Sequence, residues 1–225
     1  MTQSSSTSIE ALALQEAAVD APMGYNRFAK RLLDLVLVAI LLVPLLPVIG
    51  TLYLLVRREG GPGFFGHERV GRNGVTFKCW KIRTMVPDAE ARLAALLASD
   101  PEVRAEWERD HKLRDDPRVT RLGALLRKTS LDELPQIWNV LKGEMSLIGP
   151  RPVTAAELSR YGHRSWVYLS LRPGVTGLWQ VSGRNDIAYD ERVALDARYL
   201  ERLSMPLDLK ILFQTVGAVL NRTGC

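Results

Sequence analysis

The longest hydrophobic pattern in the chain runs from Leu32 to Val56 and is interrupted by one charged residue, Asp34. A straight helix over this stretch would be about 37 Å long, enough to cross a hydrocarbon layer of about 30 Å. The stretch is too long, and starts too far into the chain, to be a cleaved secretion signal. A buried core helix is the alternative, but apolar runs of this length are typical of membrane segments.

Two features of this segment leave its path through a membrane open. Pro44 and Pro47 remove backbone N–H groups near its middle, which predicts a break or a kink. The basic pairs Lys30-Arg31 and Arg57-Arg58 flank it, and basic residues mark the cytoplasmic side of a membrane. Hydropathy alone favours a kinked span, whereas the basic flanks favour a re-entrant hairpin that enters and leaves on one face.

The hydrophobic positions after this segment come in shorter groups. Val75–Trp80 and Lys81–Met85 alternate weakly, which predicts a short strand or hairpin. Leu207–Leu220 is amphipathic and mostly apolar, as expected either for a core helix or for a helix lying along a bilayer surface. The pattern predicts a helix-dominated α+β protein with a flexible tail (residues 1–26), a membrane hairpin (27–58) and a cytosolic domain (59–225).

Charge and cysteine content narrow the choice of partners. The formal net charge is +5 and the pI is about 9.4, which favours an anionic partner: phosphate, nucleotide, nucleic acid or anionic lipid. The two cysteines, Cys79 and Cys225, have no metal-binding spacing, which indicates a reducing compartment.

Two adjacent carboxylates, Asp132 and Glu133, stand at the predicted start of a helix. Ser130 and Glu133 fit a capping box, and Gly143 is suited to end the helix. Acidic residues in a first turn are common for structural reasons alone, because they meet the positive end of the helix. The basic neighbours Arg127 and Arg151 favour a functional role for the two carboxylates. Carboxylates, arginines and helix N–H groups together suit the binding of a phosphate and a divalent cation.

The stretch from Arg172 to Arg184 contains three glycines and two arginines. It is typical either of a hairpin with ordinary turn glycines or of a loop whose backbone approaches a ligand, with arginines for phosphate.

Several stretches together resemble the bacterial monotopic phosphoglycosyl transferases, in the same order and with matching gaps. They are Lys30-Arg31 with Asp34, the proline-broken apolar hairpin, Thr76–Met85, Leu125–Gln136, Lys142–Pro152 and Arg172–Arg184. The chain is most similar to the short, exopolysaccharide-initiating members that transfer galactose 1-phosphate or glucose 1-phosphate. One departure is Leu46-Pro47, where relatives often have Ser-Pro at the hairpin break.

The resemblance implies a phosphosugar transfer from a UDP-sugar to a polyprenyl phosphate at the cytoplasmic face of the bacterial inner membrane, starting exopolysaccharide repeat units. It implies that Asp132 attacks the sugar-linked phosphorus to give a covalent phosphosugar enzyme. Glu133 would assist the polyprenyl phosphate, and both carboxylates would hold Mg²⁺. The resemblance also puts Lys81, Arg127, Arg151, Arg184 and Asp208 at or near the active site, and Arg172 joins them as a substrate-binding candidate through the glycine-rich loop.

A non-catalytic, membrane-anchored binder of nucleic acid or anionic lipid is the competing hypothesis. Residues 118–142 could form a helix-turn-helix, but its second helix would open with two acidic residues that repel phosphates. We therefore expect UDP-sugar, polyprenyl phosphate and inner-membrane lipid as partners, and no nucleic acid. The sequence names neither the sugar nor the oligomeric state, and a homo-oligomer stays open.

Overall fold

The computed structural model describes residues 25–110, 113–183 and 187–220. Nearly all of the predicted N-terminal tail therefore lies outside the described residues. A short π-helical turn, Tyr25–Ala29, leads directly into the first long helix.

Helices dominate the described part of the chain, and its strands form two small sheets. The helices are α1 (Lys30–Arg58), α2 (Ala89–Ser99), α3 (Pro101–Asp110), α4 (Arg121–Thr129), α5 (Gln136–Lys142), α6 (Ala155–Ser159), α7 (Ser165–Ser170), α8 (Leu178–Ser182), α9 (Tyr189–Glu201) and α10 (Met205–Leu220). The strands are β1 (Phe64–Val70), antiparallel to β2 (Thr76–Ile82), and β3 (Ser146–Ile148), parallel to β4 (Gly174–Thr176). The predicted helix-dominated α+β class with a short hairpin is confirmed.

Helix α1 contains the long apolar segment, and by length and composition it could cross a membrane. Its helical backbone continues through Pro44 and Pro47, so the break predicted at the prolines is not confirmed. One stripe of the helix is buried against the rest of the protein, at Lys30, Asp34, Val38, Ile49 and Val56. Other apolar side chains of the helix face outward: Ile40 is 65% exposed, Val43 75% and Leu46 56%. Such a surface suits contact with lipid.

Polar groups attach both ends of α1 to the following domain. Near its start, Asp34 Oδ1 accepts hydrogen bonds from Ser146 Oγ at 3.0 Å and from the Leu147 N–H at 2.9 Å. Near its end, the Val56 carbonyl accepts a hydrogen bond from Arg83 Nη2 at 3.0 Å. The helix is thus tied to β3 at one end and to the residue after β2 at the other.

The strand pair β1–β2 differs in part from its prediction. Thr76–Ile82 contains most of the predicted strand, but its partner is Phe64–Val70, which the sequence marks as part of a turn-rich stretch. The partner strand was missed because Gly66 and adjacent polar residues hide any alternation. Beyond the strand pair, the side chain of Asn139 bonds the edge of β2, accepting the Trp80 N–H at 3.0 Å and donating to the Lys78 carbonyl at 2.7 Å.

The glycine-rich stretch after Arg172 forms β4 and α8, and its glycines serve close backbone contacts. A Cβ atom at Gly174 would lie 2.1 Å from the Gly149 nitrogen, and one at Gly177 would lie 2.2 Å from the Gly149 oxygen. Only glycine fits at these positions. The stretch therefore packs against the backbone of the Gly149-Pro150-Arg151 turn. Neither the hairpin hypothesis nor the ligand-loop hypothesis predicted this contact.

The core lies where α1, β2, α5, β3 and α10 meet. Its fully buried members include one residue from each element: Val56, Ile82, Val140, Ile148 and Ile211. Because α1 contributes to the same core as the strands, the position of β2 and of the turn after β3 depends on α1.

Candidate active site

Asp132 and Glu133 lie in a tight turn between α4 and α5. The chain leaves α4 through Ser130, whose φ of 56° is left-handed, and forms a single 3₁₀ turn, Leu131–Glu133. Pro135 then precedes α5, and Gly143 ends that helix with a φ of 82°, as predicted. The predicted capping box is wrong: the Ser130 side chain makes no capping hydrogen bond, because the left-handed turn starts the helix later than the sequence suggests.

Lys81, on β2, joins the two carboxylates. Its ammonium nitrogen lies 2.7 Å from Glu133 Oε1 and 3.7 Å from Asp132 Oδ2. All three side chains are largely withdrawn from solvent, at 26% exposure for Lys81, 24% for Glu133 and 10% for Asp132. Partial burial makes charge pairing stronger here than at an open surface.

The two carboxylates have different acidities despite being neighbours. Burial raises the pKa of Asp132 above its ordinary value, although the positive charges of Lys81 and Arg127 oppose this. Burial acts the same way on Glu133, but Lys81 and Arg151 outweigh it and hold the pKa of Glu133 below its ordinary value. A position at a helix start usually favours an ionised carboxylate, but the pKa of Asp132 is raised all the same. Its ionisation depends instead on nearby cations.

A cleft opens beside this group. It is lined by Gly174 and Val175 of β4 and by a largely polar group of side chains: Arg69, Cys79, Lys81, Glu133, Gln136, Arg151, Pro152 and Gln180. Burial raises the pKa of Cys79 to about 11, so its thiol is not a nucleophile near neutral pH. The cleft therefore offers three cations, a carboxylate and two amides, which suits a ligand with anionic phosphates and polar hydroxyls.

A family model described as bacterial sugar transferase matches residues 25–222. The match includes all of the described residues and every element of the site. The chain belongs to the bacterial sugar transferase family.

Individual relatives of the family agree with this assignment. The UDP-galactose-lipid carrier transferase of Erwinia amylovora is 53% identical over 88% of this chain and 42% of its own length. The undecaprenyl-phosphate galactose phosphotransferase of Salmonella typhimurium is 51% identical over the same shares. The exopolysaccharide production protein ExoY of Sinorhizobium fredii is 46% identical over 91% of this chain and 90% of its own length. The chain thus spans about two fifths of the first two relatives and most of the third.

In this family member, four of the predicted substrate or catalytic residues gather around Asp132. Lys81 and Glu133 are ion-paired, and Arg151 lines the same cleft. Arg127 donates its Nε–H to Thr84 Oγ1 at 2.9 Å and is close enough for its charge to lower the pKa of Asp132. This grouping is what a site for a diphosphate requires.

Two other predicted residues make contacts elsewhere. Arg172 Nε donates to the Gly143 carbonyl at 3.0 Å, at the end of α5. Asp208 is fully buried and bonded to Lys30 at 2.6 Å and to Tyr199 at 2.7 Å. Arg184, the remaining candidate, lies outside the described residues.

Sequence reasoning missed Arg69 and Gln136. Arg69 lies on the unpredicted strand β1, ion-paired to Glu157 at 2.8 Å, and nothing in the local pattern marks it as a cleft residue. Gln136 carried a usable signal, because it follows Asp132 by four positions and so falls on the same side of a helical segment.

Proposed function

We propose that this chain transfers a hexose 1-phosphate from a UDP-sugar to undecaprenyl phosphate, releasing UMP and starting the assembly of an exopolysaccharide repeat unit. The observation that supports this most directly is the pair Asp132–Glu133, with Lys81 ion-paired to both, Arg127 close to Asp132, and Arg151 in the cleft that Lys81 and Glu133 line. The names of the relatives agree, and two of them specify galactose. We therefore take galactose 1-phosphate as the first candidate and glucose 1-phosphate as the second.

In the first step, an ionised Asp132 oxygen attacks the sugar-linked phosphorus of the donor. A bond forms between that oxygen and phosphorus, the bond from phosphorus to the bridging oxygen breaks, and UMP leaves with the bridging oxygen. Attack by an anion on an anionic diphosphate needs positive charge close by. Lys81, Arg127 and Arg151 supply that charge and hold the phosphates in line.

In the second step, a phosphate oxygen of undecaprenyl phosphate attacks the same phosphorus and displaces Asp132. Glu133 is suited to a supporting role because its low pKa keeps it ionised and its ion pair fixes the position of Lys81. The acceptor approaches the phosphorus opposite Asp132, from the side that UMP has left, so donor and acceptor occupy the cleft in turn.

The site also fits the Mg²⁺ ion that the family resemblance implies. Among the residues that the structure describes, no group of three or more histidine, cysteine or acidic side chains comes together. Asp132 and Glu133 alone would hold the ion, and Mg²⁺ is commonly bound by one or two carboxylates plus substrate phosphates. When bound, Mg²⁺ would screen the negative charge of the diphosphate.

The attachment of α1 supports a re-entrant membrane helix with the catalytic domain on the cytoplasmic face of the inner membrane. A domain on one side of a bilayer contacts only the near end of a helix that spans it. Here Asp34 and Val56, near opposite ends of α1, both bond the same domain. On α10, Phe213 is 76% exposed and Val216 58%, whereas Asp208 and Ile211 are buried. This amphipathic helix is suited to lie on the membrane surface that carries the lipid acceptor.

The test is UMP release by the purified chain with Mg²⁺, undecaprenyl phosphate and either UDP-galactose or UDP-glucose. We expect the wild-type chain to release UMP with at least one of these two donors, and the Asp132→Asn variant to release none with either. Absence of UMP and of lipid-linked product with a panel of UDP-sugars would overturn the proposal. Tight nucleic-acid binding by the same preparation would then favour the non-catalytic alternative.

A further inference from the structure

Two buried side-chain amides on α5 lie about one turn apart and differ in how they are bonded. Asn139 is 0% exposed, and its amide bonds the edge of β2 and the Glu144 carboxylate, the latter at 2.7 Å. Gln136 is 3% exposed, yet no group in the described ranges hydrogen-bonds its side-chain amide. Its amide atoms are not among the fully buried atoms that lack a partner in the described residues, so the amide is accessible from the cleft and can bond a ligand there.

The small exposed part of Gln136 faces the catalytic cleft, which it lines together with Glu133 and Arg151. The residues between Glu133 and Gln136, Leu134 and Pro135, have right-handed helical backbones. Gln136 therefore lies about one helical turn beyond Asp132, on the same side of the segment. A ligand whose phosphorus sits at Asp132 brings the group attached to that phosphorus close to Gln136.

The hydrogen-bonding capacity of the Gln136 amide indicates whether its partner is a phosphate or a sugar hydroxyl. Phosphate oxygens only accept hydrogen bonds, and the cleft already faces them with Arg69, Lys81 and Arg151. A hexose hydroxyl both donates and accepts, and a neutral carboxamide can match it in both senses. We infer that the Gln136 carboxamide binds a hydroxyl of the donor's hexose and contributes to sugar selection. This inference rests on the proposed function, because it takes the donor to be a UDP-hexose.

The experiment combines a protein change with a substrate change. Gln136→Met keeps the length and volume of the side chain but removes its hydrogen bonds. The probes are the accepted UDP-hexose and a series of analogues, each lacking one hydroxyl of the hexose. UMP release gives kcat/KM for the wild-type chain and the variant with each donor. Asn139→Leu, which removes a buried amide bonded within the protein, is the matched control, and thermal unfolding reports the stability of each variant.

We expect Gln136→Met to lower kcat/KM about tenfold for the complete donor, as for loss of one net hydrogen bond. For one analogue, the variant and the wild-type chain should be equal, because the contacted hydroxyl is already absent. Asn139→Leu should lose stability and should affect all donors by the same factor. If Gln136→Met fails to fold, Gln136→Asn tests the same bond, since it retains the amide but withdraws it by one methylene group.

An equal loss with every donor would overturn the inference and assign Gln136 a structural or phosphate-binding role. In that case the wild-type chain still releases UMP, and the proposed function stands. If the wild-type chain releases no UMP with any UDP-hexose, the proposed function falls and this inference falls with it.

Discussion

Lys81 Nζ lies 2.7 Å from Glu133 Oε1 and 3.7 Å from Asp132 Oδ2, so one ammonium group serves two adjacent carboxylates unequally. The shorter contact accompanies the lowered pKa of Glu133, whereas burial dominates at Asp132 and raises its pKa. Neighbouring carboxyl groups with oppositely shifted pKa values commonly have different roles. In the proposed reaction only the ionised form of Asp132 attacks, so Lys81 would increase the fraction of the protein that is reactive.

Replacing Lys81 should therefore change the pH dependence of the reaction. Lys81→Met removes a charge that lowers the pKa of Asp132, so that pKa should rise further. Asp132 is ionised above its pKa, and the acid limb of kcat/KM should move to higher pH. Lys81→Arg, which keeps the charge, should leave the limb near its wild-type position. Rates of UMP release between about pH 5 and 8 give the profiles. An unmoved limb in Lys81→Met would show that another cation controls Asp132.

The proposed covalent step predicts different outcomes for variants of the two carboxylates. Asp132→Asn should lose at least about 10³-fold in rate and form no adduct, because an amide cannot replace the nucleophile. Glu133→Gln should turn over slowly but still form the phosphosugar adduct, since Asp132 is intact. Each variant is incubated with a donor labelled at the β-phosphate, without acceptor, and examined by intact mass and peptide mapping. An adduct on Glu133, or full turnover by Asp132→Asn, would falsify the assignment.

The structure separates two arginines that the sequence treats alike. Arg151 is exposed in the cleft, whereas Arg172 bonds the Gly143 carbonyl. Arg151→Lys should lose most activity with little change in stability, because lysine cannot bind two phosphate oxygens at once. Arg172→Lys should mainly lower the unfolding temperature. Activity assays and thermal unfolding on both variants test this, and near-wild-type turnover by Arg151→Lys would make that arginine structural.

Local patterns were enough to predict several elements, but not strand β1 or all of the contacts. The apolar run, the end of α5 at Gly143 and the strand around Thr76–Ile82 each follow from a few adjacent residues. By contrast, the partner of Asp208 is Lys30, which lies far away in sequence and is brought near only by the tertiary fold. Gln136 was overlooked for a related reason, because whether a buried amide has a partner depends on the neighbouring elements.

The contact between Lys30 and Asp208 should matter for stability rather than for chemistry. Their side chains are 7% and 0% exposed and 2.6 Å apart, and Tyr199 donates to the same carboxylate. Removing one partner leaves a buried charge unpaired, so Lys30→Met should lower the free energy of unfolding by about 3 kcal/mol or more. The exposed pair Asp88–Arg92 is the matched control, and Arg92→Met should leave stability unchanged. Denaturant unfolding in mild detergent compares them. Equal stability of Lys30→Met and Arg92→Met would show that the buried pair contributes nothing.

The last prediction concerns which side of the membrane holds the two ends of α1. The basic pairs at both ends and the bonds of Asp34 and Val56 to one domain favour a single cytoplasmic side. In a background lacking Cys79 and Cys225, single cysteines are placed at Ser5, in the tail, and at exposed Ser159, in the domain. Intact cells are then treated with a membrane-impermeant thiol reagent. We expect neither cysteine to react until the cells are permeabilised, after which both should react and so confirm that each is accessible. Labelling of the Ser5→Cys variant in intact cells, with Ser159→Cys protected, would establish a spanning helix. A spanning helix is incompatible with contacts between both ends of α1 and one domain.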